Sequence, residues 1–148
     1  MKLIQSRDNA FFKQLRKLAE SGRERRKAGQ TLLDGVHLVE SYEKIIAPLD
    51  TLVVAESALA GGEIADYLAG REVVVLADAL MRELGLVDTP SGLLALAPIP
   101  AADGPPDLAA DAILLDGVQD PGTVGTLLRT AAAAGVRQAL LSPGCAAV

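Results

Sequence analysis

The sequence predicts an α/β protein in which short buried strands alternate with amphipathic helices. Several short apolar runs rich in Val and Leu, such as Leu52-Val53-Val54, have the length and composition of buried strands. The segments between them place apolar residues three or four positions apart, which is the helical period. Half of the residues are apolar, and Gly or Pro marks most of the turns between these segments. Alternation of this kind favours a parallel-rich sheet covered by helices.

A Pro-rich segment divides the chain. Residues 98–111 hold four Pro, one Gly and three Asp, a composition typical of a semi-rigid linker. The 148 residues therefore predict a first domain over 1–97 and a second over 112–148. A length of 97 residues is sufficient for one small core, whereas the second segment is too short to bury a core of its own.

Three features of the composition exclude classes of protein. The single cysteine, Cys145, excludes an internal disulfide framework and fits a reducing cytoplasm. Every uncharged apolar run is far shorter than a membrane span, and the N-terminus has no secretory signal pattern. His37 has no Cys or second His near it, so we expect no metal site. The sequence thus predicts a cytoplasmic protein without a membrane partner.

The first predicted helix runs from about Asn9 to Ser21, with Ser6-Arg7-Asp8 offering caps. Its expected apolar stripe consists of Phe11, Leu15, Leu18 and Ala19. A basic turn, Arg23–Lys27, follows it.

The rest of the first domain continues the alternation. Predicted strands cover residues 31–35, 51–55, 72–76 and 92–97, and predicted helices cover 36–46, 64–68 and 79–84. The apolar members expected in the first of these helices are Val36, Val39, Ile45 and Ile46. These elements predict a small α/β sandwich.

The charge is unevenly distributed along the chain. Residues 1–30 hold nine Lys or Arg against three acids, whereas the remaining residues hold five against sixteen. A basic helix followed by a basic turn suits an RNA phosphate backbone, and a solvated surface is the alternative interpretation. The candidate RNA-binding residues are Lys13, Arg16, Lys17, Arg23, Arg25, Arg26 and Lys27.

The stretch from Ala112 to Val136 is the centre of the second segment. It predicts a strand over 112–115, a turn at Asp120-Pro121-Gly122 and a helix from Val124 that stops at Gly135. A second strand follows over 137–142.

Arg129 is the exceptional residue of that helix. It lies off the apolar stripe and one turn after Gly125, so its guanidinium is expected beside bare backbone near the helix N-terminus. A fork of donors there would suit a phosphate, and the alternative is an ordinary surface arginine. A nucleotide-phosphate loop is a weaker hypothesis, because neither a Walker pattern nor a GxGxxG motif is present.

The same stretch resembles a known family. Residues 116–136 are similar to the first signature of the SpoU/TrmH family of RNA ribose 2′-O-methyltransferases, in the SPOUT superfamily. The matching positions are Asp120, Pro121, Gly122, Gly125, Arg129, Thr130 and Ala131. Thr123 departs from the pattern, because the family usually has Asn there. Ser6, Asn9 and Lys13 resemble, more weakly, a pattern of the RNA-substrate-binding domain found in many of these enzymes.

The resemblance implies a fold and an activity. It implies an α/β/α sandwich that binds RNA, then a linker, then the start of a knotted Rossmann-like methyltransferase domain. The implied reaction moves a methyl group from S-adenosylmethionine to a ribose 2′-hydroxyl of rRNA or tRNA. Arg129 and Thr123 are the implied catalytic residues, with Arg129 acting electrostatically because an arginine stays protonated. The intact protein is expected to be a homodimer through its catalytic domain.

Two further family signatures, which form the knotted cofactor pocket, do not occur in the 148 residues. The chain is therefore expected to be truncated, to lack the S-adenosylmethionine site and to be inactive by itself. A non-enzymatic RNA-binding module resembling a ribosomal protein remains the alternative, since a small α/β sandwich with a basic arm can bind RNA by shape.

Overall fold

A computed structural model describes residues 2–49, 51–87, 89–101 and 104–146. Residues 102–103 of the predicted linker and 147–148 of the predicted second domain lie outside this description. The chain forms two compact units, Met1–Ala101 and Ala102–Val148, called here the N-terminal and C-terminal units. The division falls within the segment predicted as a linker, and the domain boundaries at 97 and 112 stay a prediction.

The N-terminal unit is an alternating α/β structure. Its elements in chain order are β1 (Lys2–Ile4), α1 (Ala10–Glu20), α2 (Gly22–Ala28), β2 (Gln30–Asp34), α3 (Val36–Ile45), β3 (Thr51–Ala55), a 3-10 helix (Glu56–Ala60), α4 (Glu63–Tyr67), β4 (Val73–Leu76), α5 (Asp78–Leu84) and β5 (Leu93–Pro98). The four strands and the helices predicted from the sequence are all present, with ends that shift by one or two residues.

The five strands form one mixed sheet in the order β1-β4-β3-β5-β2. The pairs β1–β4 and β4–β3 are parallel, and β5 is antiparallel to both β3 and β2. The register is fixed by hydrophobic alternation, because consecutive residues of β3 face opposite sides of the sheet. Leu52 and Val54 enter one core, whereas Val53 and Ala55 enter the other.

Helices cover both faces of this sheet. The first core lies under α3 and α4, and includes Val39, Tyr42 and Leu93. The second core lies under α1 and α5, and includes Phe12, Leu80 and other side chains. The α/β sandwich predicted from the alternation is therefore confirmed, and helices on both faces give the α/β/α layers that the resemblance implies.

The apolar stripes of two helices differ from the predicted ones. In α1 the buried ring is Phe12, which is fully inaccessible, whereas Phe11 is only half-buried. In α3 the side chain that completes the core is Tyr42, whose hydroxyl donates to the Pro98 carbonyl at 2.7 Å. Ile45 is 82% exposed, so its prediction as a core residue was wrong, as was that of Ile46. The helical period allows Tyr42 as well as Ile45 and Ile46 to belong to the apolar stripe. Which of these side chains is buried depends on the strands that pack against the helix.

The basic segment predicted as a turn is the helix α2. Ser21 caps it by accepting from the Glu24 N–H, and Gly29 ends it in the left-handed conformation at φ 62°. The cap of α1 is also one position later than expected, because Asn9 Oδ1 accepts from the N–H groups of Phe11 and Phe12.

The C-terminal unit contains one βαβ arrangement. Its elements are β6 (Ala112–Leu115), α6 (Pro121–Ala133) and β7 (Gln138–Leu141), and the two strands pair in parallel. The helix begins at Pro121 rather than at Val124, because Asp120 is the N-cap and Pro suits the first helical position.

Part of the predicted linker is ordered within this unit. The Asp107 N–H donates to Gln138 Oε1 at 2.7 Å, and Gln138 Nε2 donates to the Asp107 carbonyl at 2.9 Å. The segment before β6 is thus attached to the start of β7.

Little of the C-terminal unit is buried. Val124 and Leu115 are its buried apolar side chains among the residues described, whereas Leu114 is 71% exposed on β6. A single βαβ unit has only one covered sheet face, so such exposure is the expected result. Within the described ranges, no helix combines the length and the apolar character that crossing a bilayer requires.

Candidate functional site

The start of α6 is built around the Asp120 carboxylate. The N–H and the hydroxyl of Thr123 both donate to Asp120 Oδ2, at 2.6 and 2.7 Å. These two bonds hold the pKa of Asp120 below its usual value, the side-chain bond being the larger cause. The carboxylate therefore remains charged at the end of the helix where negative charge is favourable.

Thr123, expected to be catalytic, is committed to this cap. Its only hydroxyl proton points to Asp120, so the oxygen can still accept a hydrogen bond but cannot donate a second one. The side chain is exposed at the first turn of α6. Thr123 can therefore hold the loop and accept from a ligand, whereas an Asn amide would offer donors as well.

Arg129 lies beside Gly125, as their separation of one helical turn predicts. Its Nη2 donates to Thr126 Oγ1 at 3.3 Å, and its Nη1 is 3.4 Å from the point where a Cβ on Gly125 would be. Thr126 in turn donates to the Gly122 carbonyl at 2.9 Å. The guanidinium thus extends along the helix towards its N-terminus, and the absence of a side chain at Gly125 leaves room for it.

Three of the candidate RNA-binding cations are engaged with protein groups. Lys13 is 2.9 Å from Asp8, and Arg16 is 3.6 Å from Glu83. Arg25 Nη1 donates to the main-chain carbonyls of Leu18 and Ala19 at the end of α1. Arg25 therefore has a structural contact that residue spacing did not predict.

The other four candidates are open to solvent. Lys17, Arg23, Arg26 and Lys27 are exposed, and no ion pair involves them within the described part of the chain. Of these four, Lys17 lines a groove of about 210 Å³ between α1 and α2, together with Lys13, Leu18 and other residues. The helix α2 and this groove are called here the basic surface.

A charged network on the other face of the sheet was not predicted. Glu43 on α3 accepts from Arg71 and from the Tyr67 hydroxyl, which is 2.7 Å away, and also from the Leu49 N–H. The bond from Arg71 is the main cause that lowers the pKa of Glu43 to about 2. Burial, followed by the bond to Glu43, raises the pKa of Tyr67 to about 12. The network joins α3 to the end of α4 and has a structural role.

The residues described in the C-terminal unit do not fit S-adenosylmethionine. A ligand of that size needs a cleft that covers most of its surface. Here β6 and β7 form a two-stranded sheet on which Leu114 is 71% and Leu140 is 40% exposed. We therefore assign no cofactor contact to the residues described in this unit. His37 is 87% exposed and lies 3.6 Å from Glu63, and no group of three or more potential metal ligands was found within the described ranges.

Comparison with known proteins places this geometry in a family. Residues 9–95 match the family described as MRM3-like substrate binding domain. The chain is 31% identical over 146 residues to the 23S rRNA (guanosine(2553)-2′-O)-methyltransferase RlmP of Bacillus subtilis, covering 99% of this chain and 56% of that protein. The chain thus spans about half the length of the curated relatives it matches.

Solved structures give the same result. The SpoU methyltransferase AviRb of Streptomyces viridochromogenes, in complex with AdoMet, has a TM-score of 0.79 at 26% identity, covering 95% of this chain and 55% of that one. A structure described as an RNA 2′-O ribose methyltransferase has a TM-score of 0.76 at 27% identity, over 96% of this chain and 56% of that one. These matches confirm the SpoU/TrmH resemblance seen in residues 116–136. The chain belongs to the family described as MRM3-like substrate binding domain.

Proposed function

We propose that the N-terminal unit binds structured rRNA or tRNA, and that the whole protein methylates a ribose 2′-hydroxyl of that RNA with S-adenosylmethionine as methyl donor. The observation that carries the proposal is the basic surface, which lies in a unit that matches a substrate-binding family. An otherwise acidic chain that exposes Arg23, Arg26 and Lys27 on one helix has the charge pattern of a phosphate-binding face.

Arg129 acts on the reacting nucleotide in this proposal. Its guanidinium remains protonated, so it stabilises negative charge on a phosphate or on the hydroxyl that loses its proton. The contact with Thr126 limits the positions that the fork of donors can take. Thr123 lines the same place and accepts from the ribose, while Asp120 keeps the loop in shape. The methyl donor is held by parts of the protein other than the residues described here.

A homodimer through the catalytic domain belongs to the same proposal. The sheet face that carries Leu114 and Leu140 is apolar and exposed in this chain. Further strands and a partner protomer in the whole protein would cover surface of this kind. Sedimentation equilibrium of the whole protein would give twice the mass of one chain, and a monomer at micromolar concentration would contradict the dimer.

The RNA-binding part is tested with this chain. A fluorescein-labelled RNA hairpin is titrated at several salt concentrations against the chain and against a variant with Arg23, Arg26 and Lys27 replaced by Ala. Loss of these phosphate contacts should weaken binding and reduce the salt slope by up to about three units. Lys44→Ala, which removes an exposed cation already paired with Glu40, is the control and should change neither quantity. An unchanged slope in the triple variant would contradict the proposal.

The activity is tested with the whole protein. Radiolabelled methyl groups from S-adenosylmethionine should enter unmodified ribosomal or transfer RNA at a position that then resists alkaline cleavage, because 2′-O-methylation blocks the attacking hydroxyl. Label at a base atom would contradict ribose methylation. If the whole protein binds RNA and transfers no methyl group, the non-enzymatic RNA-binding module would be the correct function.

A further inference from the structure

The N-terminal unit has a cleft that the proposed function does not use. A cleft of about 380 Å³ opens where β3 and β4 end. Its lining includes Ser57, Asp78, Met81, Arg82 and Gly92. All of these residues lie outside the basic surface.

The topology of the sheet creates this cleft. β3 and β4 are adjacent and parallel, so their carboxyl ends are neighbours. After β3 the chain passes to the face that holds α4, and Leu59 and Ile64 pack in that core. After β4 it passes to the opposite face, where Leu80 and Met81 of α5 pack. Adjacent parallel strands whose connections leave on opposite faces form the crevice in which ligands of open α/β sheets bind.

The floor of the cleft is apolar and tight. Met81 is buried, and Gly92 has a φ of 95° with its carbonyl accepting from the Ala55 N–H at 2.8 Å. A Cβ on Gly92 would lie 3.1 Å from the Cβ of Ala58, so bare backbone is required at this point. Gly92 therefore lines the cleft with main chain alone, and it places no side chain of its own in the way of a flat ligand.

The charged groups of the cleft supply one acceptor, Asp78, and one donor, Arg82. The N–H and the hydroxyl of Ser57 both donate to Asp78 Oδ1, at 3.1 and 2.9 Å, which orients the carboxylate. Asp78 Oδ2 makes no hydrogen bond to any residue that the structure describes. Arg82 follows one turn later on α5 and is exposed, without an ion pair in the same ranges. Of the lining residues described, Arg82 alone is cationic.

This combination disfavours a phosphate and favours a nucleobase. A phosphate would meet the Asp78 carboxylate, and a single arginine would have to offset that repulsion. An unpaired base has a flat apolar face and an edge that carries both donors and acceptors, and proteins recognise single-stranded RNA through bases of this kind. A volume of about 380 Å³ is within the range of small-ligand clefts.

We propose that the cleft at the ends of β3 and β4 receives one unpaired nucleobase of the RNA, which packs on the floor at Gly92 and is bound at its edge by Asp78 and Arg82. This inference rests on the proposed RNA-binding function and gives it a second contact. The basic surface supplies affinity that does not depend on sequence, and the cleft supplies preference for RNA that has unpaired bases.

Two fluorescein-labelled probes test the inference: an RNA hairpin with an unpaired loop, and a blunt RNA duplex of equal length. Arg82→Ala should weaken binding of the hairpin about tenfold and leave binding of the duplex within about twofold. Asp78→Asn, which can still accept from Ser57, should also weaken only the hairpin. Lys44→Ala removes an exposed cation on the other face of the sheet and should affect neither probe.

The outcomes separate the two proposals. Equal weakening of both probes by Arg82→Ala would mean an ordinary phosphate contact and would overturn the inference. Unchanged binding of both probes in Arg82→Ala and Asp78→Asn would also overturn the inference. If the triple variant of α2 still weakens binding in that case, the proposed RNA-binding function stands. If the unmodified chain binds neither probe, both proposals fail. Circular dichroism of each variant excludes misfolding as the cause of any loss.

Discussion

Replacing Gly125 with Ala separates the stability of α6 from the position of Arg129. Gly125 is the fifth residue of a helix that runs from Pro121 to Ala133, and its φ is negative, so an L residue fits its backbone. The added Cβ would lie 3.4 Å from Arg129 Nη1. We therefore expect the guanidinium to move by up to a few tenths of an ångström, whereas the backbone of the helix stays in place.

The two expected effects have opposite signs. Ala in a helix interior is favoured over Gly by about 1 kcal/mol, so the variant should be more stable. The displaced guanidinium should lower the rate of methyl transfer by about tenfold, because misplacement of a charged group by about an ångström can cost a hundredfold. A more stable and slower enzyme is an outcome that general damage to the fold would not produce.

The assay is single-turnover methylation by the whole protein, together with a thermal melt of each variant. Ala132→Gly is the control, because it weakens the same helix by about 1 kcal/mol on a side chain that is exposed and outside the Arg129 contacts. It should lower the melting temperature and leave the rate unchanged. If Gly125→Ala methylates at the unmodified rate, the position of the guanidinium does not matter. If it melts earlier, the helix argument is wrong.

Further substitutions test other contacts. Arg129→Ala should change the free energy of unfolding by less than about 0.5 kcal/mol and slow methyl transfer by about two to three orders of magnitude, with poor rescue by Arg129→Lys; a wild-type rate would remove it from the site. Arg25→Ala should destabilise the chain by about 1 kcal/mol in a urea titration, whereas Arg26→Ala, an exposed neighbour, should have almost no effect. Because Glu43 has a pKa of about 2 when folded, against 4.5 as its ordinary value, it contributes stability above pH 4.5 that is lost as the pH falls towards 2. Glu43→Gln should remove up to about 3 kcal/mol of that dependence between pH 5 and pH 2 in urea titrations, and an identical pH dependence in the variant would contradict the role of the pair with Arg71.

Local patterns predicted the elements that carry strong signals. The β-branched runs of β3 and β4 were recognised because their apolar character is continuous. β1 was missed because Lys2–Ile4 is too short for a pattern, and its partner β4 lies far along the chain. α2 was taken for a turn because charged residues fill it and no apolar stripe marks it, although Ser21 and Gly29 are ordinary capping residues.

At the candidate sites, contacts within one helix were predictable from the sequence, whereas contacts between separate elements were not. The place of Arg129 beside Gly125 was predictable because a spacing of four residues is one helical turn. The Arg25 bonds to the end of α1 and the Glu43–Arg71 pair depend on how separate elements pack, which residue spacing does not encode. The cleft at Asp78 depends on strand order, and the sequence alone does not give the order of strands in a sheet. The roles of the candidate catalytic and RNA-binding residues stay predictions.

The bond from Arg25 to the end of α1 affects how RNA would be bound. Arg25 of α2 donates hydrogen bonds to the end of α1 and so holds the helix in place. Its neighbours Arg23, Arg26 and Lys27 therefore lie on an ordered helix and not on a disordered basic segment. A flexible basic tail loses conformational entropy when it settles on a phosphate backbone, whereas this helix is already ordered. Arg25→Ala should therefore weaken RNA binding with a less favourable entropy and an unchanged salt slope, although the residue need not touch the RNA.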